Sequence, residues 1–257
     1  MDKRKIIYYS DESEEFSLAR ISPREIGDDY VYCHNSHFKR FTHFFWYRIV
    51  AMPLAWLYLK LIFGHKVIGR KKLREYRGQA HFLYGNHTQD IADALIPHML
   101  DRRIDKYTVV HPNNVSMPVL GRITPSLGAL PLPSSRKAYR NFFLAIERRV
   151  SEGAGIVVYP EAHIWPYYTG IRNFPDASFS YPVRHETPVF CFTNVYKKRR
   201  LRRRPRIETY IDGPFFHNPY LSVGEARARL RDDVYERMKE RAALSDVEAI
   251  KYVKKEE

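Results

Sequence analysis

Cysteine is scarce in this chain. The two in 257 residues, Cys33 and Cys191, are too few for a disulfide framework and stand in no paired metal-ligand spacing. A disulfide-stapled secreted fold is therefore not expected, and a reducing cytoplasm is the simplest home. The eleven histidines form no His-x-His pair and no Asp-x-His precedes Gly85, so the ligand set of a two-metal hydrolytic centre is missing and no metal is expected. The opening stretch MDKRKIIYYSDESEEFSLAR lacks an apolar core followed by a small-residue cleavage site, and is not read as a signal peptide. Long apolar runs are also missing. In FFWYRIVAMPLAWLYLKLIF, residues 44–63, Arg48, Pro53 and Lys60 interrupt the pattern, and the apolar part from Ile49 to Leu59 falls short of the roughly 20 residues a spanning helix needs. That composition predicts two short helices about Pro53, lying in a membrane interface with Arg48 and Lys60 reaching toward phosphates.

What is present argues for a folded core and an anionic partner. Hydrophobic residues make up 44% of the chain and aromatics 14%, enough apolar surface to offset the entropy of ordering. The formal net charge is +14, and more than half of it sits in KKRRLRRRPR, residues 197–206, which contains no acidic residue. Such a run binds anionic lipid or nucleic acid through phosphates. No nucleic-acid module surrounds it, whereas the 44–63 segment is built for lipid, so an anionic membrane surface is the preferred partner and nucleic acid the less favoured one.

The pattern divides the chain into an arm (1–40, with 1–29 loosely held), an interfacial apolar segment (41–68) and an α/β domain (69–257). AHFLYG, YTVVHP, GIVVYPE, TPVFCFTNVY and RIETYIDGP each carry apolar or β-branched residues bounded by turn formers, as buried strands do. Between the second and third, Ser134 or Ser135 can cap a helix whose apolar face is Ala138, Phe142, Ala145, Ile146 and Val150, with Gly153 or Gly155 ending it. Ser222 and Glu225 form a capping box ahead of Ala226, Leu230, Val234 and Met238. Strands alternating with helices predict an α/β fold, a largely parallel or mixed sheet flanked by helices.

In such sheets ligands sit beyond the carboxyl ends of the strands. His87, in YGNHTQDIADAL, and Glu161 both fall there. A histidine held by a carboxylate is a general base suited to neutral pH, because the carboxylate fixes its tautomer and stabilises the imidazolium. That chemistry removes the proton of a hydroxyl. Two aspartates, Asp90 and Asp93, compete for the partnership.

Asn86, His87 and a following aspartate, then a glycine-containing turn, then Pro160 and Glu161, then Thr187 and Pro188 entering a strand, resemble in order the four blocks of the glycerolipid acyltransferases, which include lysophosphatidic acid acyltransferase. The resemblance covers roughly residues 50–220. It implies transfer of a fatty acyl group from acyl-CoA or acyl-carrier protein to a lysophospholipid or related lipid hydroxyl, at the cytoplasmic membrane face, with no cofactor beyond the acyl donor and no covalent acyl-enzyme. His87 would be the base and Asp93 its partner, since Ala94 and Leu95 follow it as family members have it; Asp90 is the alternative carboxylate. Pro160 and Glu161 would shape the acceptor pocket, and Thr187 the acyl-donor side. Backbone N–H groups near Gly121 or Gly128 would hold the oxyanion. The sequence departs from the family at several places. Five residues rather than four separate His87 from Asp93, Pro133 and Ile164 stand where phosphate-binding arginines are usual, and Ala162 replaces a glycine. Arg122, Arg136, His163 and Arg172 are the cations able to substitute, and Trp165, Tyr167 and Tyr168 would line a pocket or face the membrane. The competing expectation is a catalytically silent version of this fold that binds membrane or nucleic acid through its basic run.

Overall fold

The computed structural model describes residues 5–17, 22–33, 36–118 and 120–255. Seven strands form one sheet: β2 (Lys66–Ile68), β3 (His81–Gly85), β4 (Lys106–Val110), β5 (Ala129–Pro131), β6 (Gly155–Val158), β7 (Val189–Lys197) and β8 (Arg206–Phe215). Their order is β2-β8-β7-β3-β6-β4-β5. β3, β4, β5, β6 and β7 run parallel, and β8 pairs antiparallel with β7 and parallel with the short edge strand β2. This is the expected α/β class, with every strand expected from the apolar runs present.

Period-two alternation on the central strands builds two cores. Phe82, Tyr84, Ile156, Val158, Val189 and Cys191 point to one face, where Phe142 and Ile146 of the Tyr139–Ser151 helix and Leu230, Val234 and Met238 of the Val223–Ala242 helix cover them. The intervening residues Leu83, Val157, Phe190 and Phe192 point to the other. There Ile96 and Met99 of the Ala92–Leu100 helix and Ala55, Leu59 and Phe63 of the apolar segment cover them. The Ser222–Glu225 capping box read from sequence forms, whereas the Tyr139–Ser151 helix has Ala138 at its N-cap with no side-chain cap bond, and Ser135 lies three residues ahead of that cap. The Ser222 hydroxyl accepts from the Glu225 N–H at 3.4 Å while Glu225 accepts from the Ser222 N–H at 3.1 Å, and Ser135 Oγ accepts from the Ala138 N–H at 3.2 Å.

The apolar segment departs from expectation. It is one continuous helical run, His37–Phe44, a π-helical turn Phe45–Ala51, then Met52–Phe63, rather than two short helices. Pro53 lies at the start of the last piece, and its missing N–H and its ring fall where the helix is widened by the π-helical turn ahead of it. The resulting 24-residue helix Arg40–Phe63 is long and apolar enough to cross a membrane by length and composition, unlike the stretch counted between charges. Its inner stripe, Tyr47, Met52, Ala55, Leu59 and Phe63, is nonetheless packed against the domain.

The arm also differs. Its strand β1 (Lys5–Tyr9) pairs in parallel with β9 (Ile250–Lys254), so the chain's two ends meet in a second, two-stranded sheet. Residues 5–17 are docked rather than loose; the rest of the 1–29 stretch lies partly outside the described residues.

Candidate functional site

β3 and β6 are neighbours, so the residues just past their carboxyl ends meet. His87 follows β3 by two residues and Glu161 follows β6 by three. Gly85 is required at the strand end: a Cβ there would lie 2.2 Å from the Phe192 ring. The chain then turns into the Ala92–Leu100 helix, whose second residue is Asp93.

Asp93, 1% exposed at its side chain, is the carboxylate that meets His87. The imidazole Nδ1–H donates to Asp93 Oδ2 at 2.9 Å, and the same oxygen accepts the N–H of Thr88 at 2.6 Å and of Gln89 at 2.8 Å. The turn therefore wraps around the carboxylate, which is how a five-residue gap still delivers it to the ring. Among the described residues nothing bonds His87 Nε2, leaving that nitrogen to accept a proton. The ring stacks on Tyr159 at 4.5 Å between centroids, and Tyr159 donates its hydroxyl hydrogen to the Asp93 carbonyl at 2.5 Å. Asp90 is exposed and makes no bond to the imidazole. Partial burial and then the nearby Glu15 carboxylate push its own acid upward.

Behind Asp93 lies a relay that the motif reading missed. Asn194 Nδ2 donates to Asp93 Oδ1 at 3.2 Å, Thr209 Oγ1 donates to Asn194 Oδ1 at 2.7 Å, and His65 Nε2 donates to Thr209 Oγ1 at 2.8 Å. Asn86 and Asn194 lock β3 to β7 reciprocally, Asn86 Nδ2 donating to the Asn194 carbonyl at 3.1 Å and accepting the Asn194 N–H at 2.7 Å. Tyr196 closes the other flank, donating to Thr88 Oγ1 at 2.8 Å. Asn194 is the one amide in the largely apolar TPVFCFTNVY; His65 and Thr209, in other strands and turns, had no local signal.

Glu161 is buried, accepting the His87 N–H at 3.3 Å and the Arg172 N–H at 3.2 Å. Its second partner is the Arg172 guanidinium, 3.1 Å away. Burial raises the Glu161 acid and Arg172 opposes that shift. Arg172 is itself 2% exposed, donates to the carbonyls of Glu12 and His163, and lies over the Trp165 ring. Arg172 is thus committed to Glu161 and is not open to a ligand. Trp165 is 1% exposed, stacked on Tyr252 and donating to the Glu14 carbonyl at 2.7 Å. It faces neither pocket nor membrane because the docked arm and β9 cover it, while Tyr167 packs on Tyr196. Pro160 is buried in the turn between Tyr159 and Glu161.

Other expected residues are not brought here. Arg122 and Arg136 are exposed, without contact to His87, Asp93 or Glu161 among the described residues. His163 reaches Glu15 at 3.5 Å. Thr187 precedes β7, whose register with β3 places it level with residue 80, about seven positions or ~23 Å from His87 along the strand direction. Of the N–H groups in the turns expected to hold an oxyanion, those of Gly121 and Gly128 themselves are occupied, Gly121 donating to the Met117 carbonyl at 2.9 Å and Gly128 to the Pro125 carbonyl at 3.2 Å.

A cavity of about 120 Å³ lies between the apolar helix and the Ala92–Leu100 helix. Its walls are mainly apolar, with Ala51, Met52 and Ala55 on one side and Ala94 and Leu95, the residues following Asp93, on the other.

The α/β sheet and its flanking helices have the fold of a solved acyltransferase structure. The comparison that carries this is with the crystal structure of the 1-acyl-sn-glycerophosphate (LPA) acyltransferase PlsC from Thermotoga maritima, similar over 82% of this chain and 89% of that one at a TM-score of 0.56 and 18% sequence identity. No family model and no curated protein matches the chain. The likeness is one of fold.

Proposed function

We propose that this chain moves a fatty acyl group from a thioester, acyl-CoA or acyl-carrier protein, to the hydroxyl of a lysophospholipid or related lipid, with His87 as general base. The observation that carries this reading is the 2.9 Å bond between His87 Nδ1 and the buried Asp93 carboxylate, which leaves Nε2 as the accepting nitrogen. The acceptor oxygen gives its proton to Nε2 and attacks the thioester carbonyl carbon. The tetrahedral intermediate expels the thiolate, which takes the proton back from the imidazolium. Asp93 holds the tautomer and stabilises the transient imidazolium, and Glu161 fixes the His87 backbone. The apolar cavity lined by Ala94 and Leu95 is the candidate place for part of the acyl chain. The reading needs no metal and no bound cofactor, and the protein would work peripherally at the cytoplasmic face of a membrane. Because Arg172 is spent on Glu161, an acceptor hydroxyl remote from any phosphate is the favoured variant of this reading.

Acyl transfer from both donors to phosphorylated and neutral lysolipids tests it. Asp93→Asn should lower kcat by roughly 10²–10⁴-fold and Asp90→Asn should leave it near wild type. Equal loss in both variants would break the assignment of Asp93.

A further inference from the structure

The basic run and the apolar helix, separated by more than 130 residues of sequence, are joined in the fold. KKRRLRRRPR forms the turn between β7 and β8, past the carboxyl end of β7. Arg199 donates to the Ile62 carbonyl at 2.9 Å and Arg202 to the Leu61 carbonyl at 2.6 Å, while the Arg204 guanidinium lies 5.5 Å from the Phe63 ring. The last carbonyls of a helix carry its negative pole, so two guanidinium groups there both satisfy the helix end and hold the turn to it.

The outer surface of that joined unit has the composition of a membrane-binding face. Phe41, Phe45, Trp46, Ile49, Trp56 and Leu57 are exposed along the helix at 37–63% of their area. Arg102 lies over Trp56 at 5.7 Å, adding a cation beside the aromatic row. On the turn, Lys198, Arg200, Arg203 and Arg204 are exposed, and Leu201 stands among them at 91% exposure. A solvated charged loop has no need of an exposed leucine at its tip, and a nucleic-acid groove has no need of an aromatic helix beside it. Apolar side chains for the acyl boundary, rimmed by cations at headgroup level, match an anionic bilayer in both respects.

We propose that the outer face of the helix and the 197–206 turn form one docking surface for an anionic bilayer. Helix aromatics enter the interface and the turn reads headgroup charge, with Arg199 and Arg202 serving as the joint between them. This claim concerns binding only and stands or falls apart from the acyl-transfer reading.

The test is cosedimentation of the full chain with vesicles of phosphatidylcholine alone or mixed with phosphatidylglycerol, across a salt series. Binding to the mixed vesicles should exceed binding to neutral ones at least tenfold and fall steeply with salt. Lys198→Glu combined with Arg200→Glu and Arg203→Glu, which spares the two joint arginines, should remove most of that preference. A second readout needs no variant. Of the three tryptophans, Trp165 is buried and Trp46 and Trp56 lie on the proposed face, so brominated lipid should quench the wild-type fluorescence. Equal binding to neutral and anionic vesicles, absence of bromine quenching, or vesicle binding abolished by stoichiometric single-stranded RNA would overturn the proposal.

Discussion

Asp93 Oδ2 accepts three N–H groups and Oδ1 a fourth, which gives a carboxylate 1% exposed a full set of partners and no freedom to rotate. That saturation sets the orientation of His87, since the imidazole is the only one of the four donors with a second nitrogen free to act. A different economy operates at Ala162, with φ of 63°, in the left-handed region where a Cβ crowds the following carbonyl. Ala162→Gly should relieve this and raise stability by about 1 kcal/mol, less the entropy glycine adds to the unfolded chain, read as a higher urea midpoint at unchanged slope. A lower midpoint would show that the alanine methyl contributes packing there. The methyl stands where the resembling family has glycine, and the left-handed φ it must adopt was not legible beforehand.

At the scale of elements, the loop from Glu161 to Arg172 is held from two directions. Arg172 neutralises Glu161 from within, and the docked arm holds the loop from outside, with carbonyls of Glu12 and Glu14 receiving Arg172 and Trp165. Arg172→Met should leave Glu161 buried without its cation and cost about 3–5 kcal/mol, whereas adding Glu161→Gln to that variant should recover much of the loss. Thermal melts of the two variants beside wild type check this, and a double variant no more stable than the single would show that the pair is not coupled. Neither the pairing nor the docking was readable beforehand. Glu161 and Arg172 are eleven residues apart in a loop without periodicity, and β1 finds β9 across almost the whole chain through exposed strands that lack an apolar alternation. By contrast β3, β6 and β7, buried on both faces, announced themselves as short continuous apolar runs bounded by turns. The apolar helix was half legible: its composition was clear, but continuity across Pro53 depends on a π-helical turn that no propensity predicts.

For the molecule as a whole, the buried His65 and His81 and the half-buried His98 link stability to pH. Burial, the leading cause at each, lowers His65 and His98 to about 3 and His81 to about 4, from an ordinary 6.5. Between those values the unfolded chain binds protons that the folded chain refuses. The stability from keeping these rings neutral is therefore present above about pH 6.5 and is lost as pH falls toward 4, by up to ~1.4 kcal/mol per pH unit for each histidine. Urea midpoints measured from neutral to mildly acidic pH should fall accordingly, and His81→Phe should flatten the slope. A midpoint independent of pH across that window would refute the assignment.

The central claim is that His87 is the base of an acyl transfer, and it is tested most directly by product formation. Purified wild type and His87→Ala are incubated with an acyl thioester and a lysolipid, and the diacyl product is quantified by mass spectrometry. The account predicts product from the wild type and a fall of roughly 10²–10⁴-fold in the variant at unchanged thermal stability. Full activity in a folded His87→Ala protein would contradict it.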